Sequence, residues 1–221
     1  MATTATTSVE DRKRLVRRLV GRGRGFAEEY GFRVTNNPAS LFQVLCLAVL
    51  LRRPGDAGRA IESALALRDR GWESPARMVR SPHEARAGVL RDTGRRADAD
   101  AVATILGDLA VTLVERYQGD LRRLRAMARY EPARERALLT ELPGVDDEVV
   151  DLFLREVQAL WREAAPVADR RALAAARRLG LGRSAADLAA LTGSGESEKL
   201  AWLVGTLARM DLENTYDEMG R

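Results

Sequence analysis

Helix punctuation limits what this chain can become more than any other feature. Asn37-Pro38, Ser74-Pro75 and Ser81-Pro82 each set a small polar residue before a proline. That is an N-cap followed by the first helical position, where the missing proline N–H costs no hydrogen bond. Ser8 with Asp11 reads as a capping box opening a basic helix that continues to Leu19. Between such marks the apolar residues recur at helical spacing. Ile61, Leu65 and Leu67 do so within 56–70, Val102, Ile105, Leu109 and Leu113 within 96–117, and Val149, Val150, Phe153 and Val157 within 146–161. Leu41–Leu51 is apolar on nearly every side and belongs at the centre of a core. Further helices are expected over 75–80, 82–94, 120–127, 132–142, 170–180, 184–191 and 196–212. Strand signals are scarce. The expected class is all-α, with short loops and no repeat of solenoid length.

The chain has 221 residues, 46% of them hydrophobic and 31% charged, enough to build a core without covalent staples. Cys46 is the one cysteine and His83 the one histidine. An intrachain disulfide, a cysteine-ligated zinc, an iron–sulfur cluster held by this chain and any His-pair mechanism are thereby excluded, and no metal or cofactor is expected. Aromatic residues make up 5%, low for a protein that stacks on single-stranded bases. A net charge of +4 permits a polyanionic partner without demanding one. Only Lys13 and Lys199 are lysines, so chemistry needing an amine has two side chains to draw on. No apolar stretch approaches the roughly 20 residues of a membrane span. The first residues lack the basic-then-apolar order of a signal peptide, and a cytoplasmic protein is expected.

Leu142-Pro143-Gly144-Val145 joins two helices through a tight turn, with the hairpin over 142–147. A glycine there lets backbone approach a phosphate, and the turn N–H groups and the next helix's N-terminus attract the anion. The turn resembles the hairpin of the helix-hairpin-helix DNA-binding motif, and the resemblance implies Pro143, Gly144 and Val145 as candidate DNA contacts. Further on comes Val167-Ala168-Asp169, with Gly180 eleven residues after Asp169. Upstream, Asn37 to Leu51 resembles an early core helix, and Thr93-Gly94-Arg95-Arg96-Ala97 a Gly-x-x-x-Ala link into a long helix. In this order, residues 36 to 212 resemble the endonuclease III-like DNA glycosylase superfamily.

The resemblance implies a two-lobed all-α fold. Residues 38–164 would form one lobe ending in the hairpin, and 1–37 with 165–221 the other. It implies base excision on damaged or mispaired bases in double-stranded DNA, with Asp169 as the catalytic carboxylate facing the positive charge that develops on the sugar. Asp169 also reads simply as the N-cap of the helix that starts at Arg170.

The departures from the family are specific. Where its hairpin continues with a second glycine and then the Schiff-base lysine, this chain has Asp146-Asp147-Glu148, so Glu148 replaces the lyase amine. The implied activity is monofunctional, without β-lyase. The three acids repel phosphate, which moves the expected DNA affinity onto Arg14, Arg17 and Arg18 of the first helix and Arg170 and Arg171 beside Asp169. Arg122, Arg123 and Arg125 form a second, weaker basic run. The early helix ends in Arg52-Arg53-Pro54-Gly55, without the family's glutamine. The alternative reading is a non-catalytic DNA- or protein-binding descendant. Gly193-Ser194-Gly195 reads as a helix-capping turn, His83 as exposed, Cys46 as a core thiol, and Trp72, Trp161 and Trp202 as packing residues.

Overall fold

A computed structural model describes residues 8–193 and 197–216, and these contain helices and no strand. The helices are α1 (Val9–Leu19), α2 (Phe26–Glu29), α3 (Pro38–Arg52), α4 (Ala57–Asp69), α5 (Pro75–Arg80), α6 (His83–Asp92) and α7 (Ala99–Tyr117). They continue with α8 (Leu121–Met127), α9 (Pro132–Thr140), α10 (Asp147–Val157), α11 (Arg170–Arg178), α12 (Ala185–Thr192) and α13 (Ser197–Glu213). Ser194, Gly195 and Glu196 lie outside the described residues. No described helix is long and apolar enough to cross a membrane.

The chain forms two compact units. A central unit runs from Tyr30 to Phe153, and a terminal unit joins the chain up to Glu29 with the chain from Leu154. The sequence reading places these divisions after 37 and after 164. Local bonds account for the earlier positions. Arg68 of α4 donates to the Gly31 carbonyl at 3.0 Å, which draws the segment before α3 into the central unit. At the other division Arg155 and Glu156 find their partners in the terminal unit.

In the central unit α3 is buried on nearly every side, from Leu41 to Leu50. Cys46 is among these residues, and burial pushes its thiol pKa up. Around α3 pack α4 and α8, while α7 packs on α5, α6 and α8. Asn37 caps α3 by accepting from the Ser40 N–H, and Asp56 and Asp120 cap α4 and α8. The Ser81-Pro82 pair behaves differently from its reading as a helix start. Pro82 occupies the N-cap position of α6, and the Ser81 hydroxyl turns back to the Met78 carbonyl at 2.6 Å, closing α5. The long helix begins at Ala99, not Arg96, because Gly94 is left-handed (φ 86°) and Arg95 turns to pair with Asp98 at 2.5 Å.

In the terminal unit α13 is the central strut, packing against α1, α2, α11 and α12. Gly205 makes this possible. A Cβ there would overlap the backbone of Gly25 and Phe26 at the start of α2. Ser184 and Asp187 form a full capping box on α12. Trp161 is fully buried, as expected for a packing residue.

Candidate nucleic-acid interface and the Asp169 network

The hairpin is built from α9, the turn and α10, all within the central unit up to Phe153. Val145 N–H closes the turn onto the Leu142 carbonyl at 3.1 Å. Gly144 is left-handed (φ 74°), and a Cβ there would overlap Ile105 of α7. Glycine is thus required twice, by backbone conformation and by packing. Arg53 donates to the Gly144 carbonyl at 3.4 Å.

The acids do more than repel. Asp146 Oδ1 accepts the Val149 N–H at 2.9 Å, so the chain's own carboxylate occupies the first turn of α10 where an anion would bind. Its Oδ2 lies 2.8 Å from Arg52 Nε, and Glu148 Oε2 lies 2.9 Å from the same nitrogen. Arg136 pairs with Asp151 at 2.9 Å and, more loosely, with Asp147 at 3.9 Å. The run 146–148 is therefore charge-compensated at the surface. Arg52 and Arg53 stand in the sequence as the absence of a glutamine. Their role is hidden there because their partners lie some ninety positions along the chain.

Asp169 is the N-cap of α11. Its carboxylate accepts from the Arg171 N–H at 3.3 Å and the Ala172 N–H at 3.4 Å. It is also 3% exposed and pairs through Oδ2 with Arg155 Nη1 at 3.2 Å. Arg155, 2% exposed, reaches Glu156 Oε1 with its Nε at 2.6 Å and stacks over the Phe26 ring at 4.3 Å. Glu156 Oε2 in turn accepts the Ala27 N–H at 2.8 Å. Burial alone would push the Arg155 pKa down, but Asp169 and Glu156 outweigh it and hold the guanidinium above its usual range. Two carboxylates face one cation, and the N–H groups starting α2 and α11 offset the excess negative charge. The sequence suggests the cap, but Arg155 reads there only as a helix residue.

The remaining candidates are placed as follows. Arg14, Arg17 and Arg18 are exposed on α1, with Arg14 4.0 Å from Asp11. Arg171 pairs with Asp211 at 3.3 Å, and Arg170 is exposed. These five and Asp169 lie in the terminal unit; Pro143, Gly144, Val145 and Glu148 lie in the central unit. Among the described residues, His83, Glu84 and Asp100 bring possible metal-ligand atoms within 4.8 Å of one another. All three are exposed, and Arg91 already pairs with both Glu84 and Asp100, so a cation would have to displace it.

No protein-family model matches the sequence, and no curated protein does. Solved structures do. The chain is similar to endonuclease III in a trapped covalent intermediate with DNA, an estranged-adenine complex. The TM-score is 0.55 at 17% identity, over 92% of this chain and 85% of that one. A non-covalent endonuclease III–DNA complex gives 0.54 at 17% identity over the same shares. The chain has the endonuclease III fold. The all-α class and the helix-hairpin-helix order expected from the sequence are those of that fold. At this identity the likeness extends to architecture, and the chemistry has to be argued from this chain's own residues.

Proposed function

We propose that this protein binds double-stranded DNA on the endonuclease III fold without excising bases, Asp169 having become a structural ion-pair group. The observation that carries the reading is the 3.2 Å contact between Arg155 and Asp169, both buried. A carboxylate stabilises a developing sugar cation by its uncompensated charge. A guanidinium held beside it removes much of that advantage and fixes the carboxylate on its own unit. DNA affinity rests on exposed arginines of α1, Arg14, Arg17 and Arg18, with the hairpin acids compensated by Arg52. The test measures duplex affinity and base release together, over a panel of modified and mispaired bases. Salt-dependent duplex binding with no release on any lesion is expected. Release by the parent that disappears in Asp169→Asn overturns the reading.

The second reading is monofunctional base excision. It is favoured by Asp169 capping α11 with the left-handed Gly180 (φ 68°) closing that helix. In that case Asp169 works as the electrostatic group despite Arg155, and Glu148, standing in the sequence where the family carries its lysine, supplies no amine for a Schiff base. Its signature is excision abolished by Asp169→Asn and no trapping of the protein on abasic DNA by borohydride.

A further inference from the structure

The turn between α8 and α9 carries the one pair of consecutive non-glycine residues in the left-handed region among the described residues, Arg129 (φ 57°) and Tyr130 (φ 59°). Arg129 N–H donates to the Ala126 carbonyl at 2.9 Å and Tyr130 N–H to the Arg125 carbonyl at 3.3 Å, closing α8. A glycine would close the helix without strain. Strain of this kind persists where the surroundings hold it and accompanies function.

The turn displays two apolar side chains. Tyr130 is 56% exposed and Met127 53%, the most exposed large hydrophobic residues among those described. The Arg125 guanidinium stands over the Tyr130 ring at 5.0 Å and backs one face. Arg125 is held in turn by buried Glu135, at 3.9 Å. Arg123, four residues before Met127 and on the same helix face, is exposed, as are Arg129 and Arg134. An aromatic ring backed by a cation and flanked by arginines suits a base with phosphates on either side.

We propose that Tyr130 is a stacking platform for an unpaired nucleotide of a DNA strand, with Arg123, Arg129 and Arg134 meeting the neighbouring phosphates. The low aromatic content argues against an extended stacking groove, whereas this platform needs one ring. The proposal rests on the DNA-binding reading but uses a different surface. In the chain, α9, about 13 Å long at helical rise, lies between the platform and the hairpin.

The experiment compares the parent, Tyr130→Phe and Tyr130→Asn for binding of a labelled short oligothymidine and of a fully paired duplex. Asparagine tolerates the left-handed backbone, so the turn is kept while the ring is lost. Tyr130→Asn should bind oligothymidine about tenfold more weakly and the duplex as before, with Tyr130→Phe matching the parent on both. Unchanged oligothymidine affinity in Tyr130→Asn overturns the platform, as does a parent that binds duplex but no single strand. Loss of self-association in Tyr130→Asn with single-strand affinity intact assigns the surface to protein and also overturns it. A parent that binds neither nucleic acid overturns the DNA-binding reading together with the platform.

Discussion

Arg52 Nε stands 2.8 Å from Asp146 Oδ2, so the last residue of α3 neutralises the carboxylate that caps α10. The pair is exposed and adds less than about 1 kcal/mol to stability. Its effect falls on binding. Asp146→Gly removes the internal anion, frees the Val149 N–H toward a phosphate and leaves Arg52 with one acid in place of two. We expect tighter duplex binding and a slope of log affinity against log salt steeper by about 0.9 for each additional phosphate bound. Arg52→Ala leaves Asp146 and Glu148 without this cation and should weaken duplex binding several-fold. Titrations at several salt concentrations measure both effects.

Arg155→Leu leaves Asp169 and Glu156 buried without their common cation. We expect a loss of about 3–5 kcal/mol, or failure to fold. Asp169→Asn keeps the cap and the size but removes one charged hydrogen-bond acceptor, at a cost of about 1.5–3 kcal/mol. Denaturant melts read both values. A melt of Asp169→Asn that coincides with the parent shows that the ion pair contributes nothing.

Gly205→Ala drives a methyl group into the backbone of Gly25 and Phe26. Backbone cannot step aside as a flexible side chain can. The expected destabilisation is about 1–3 kcal/mol or more, read in the same melts. Gly21→Ala, with nothing within 4 Å of the added carbon, is the matched control.

Asp187 is held below its usual pKa by the Arg183 N–H and by the hydroxyl and N–H of Ser184. A carboxylate depressed in the folded state adds stability above its unfolded pKa and loses it as pH falls through the folded one. The melting temperature of the parent should therefore exceed that of Asp187→Asn at neutral pH. The gap should close as pH falls below about 4, the ordinary range of the aspartate carboxyl. A gap independent of pH rejects the assignment.

The helices are legible from local spacing, as are the caps Ser8, Asn37 and Asp169, because each acts on backbone within a few residues. The hairpin is recognisable for the same reason. The short helix α2 escapes, since its four residues make no periodic pattern and its place depends on Gly205 far along the chain. The meaning of the acids at 146–148 and of Asp169 escapes as well. Each is set by an arginine whose side chain reaches it only after folding, and an arginine in a chain rich in them carries no local mark.

The grip of Arg52 on both Asp146 and Glu148 also gives this hairpin an order of evolutionary change. Replacing Arg52 first strands two acids in front of any approaching phosphate. Replacing Asp146 first opens the turn while Glu148 still keeps the arginine in place. A change toward a phosphate-accepting turn is therefore easier through the acids than through the arginine, so an exposed arginine at the end of a core helix sets which substitutions are favourable in a turn some ninety residues away.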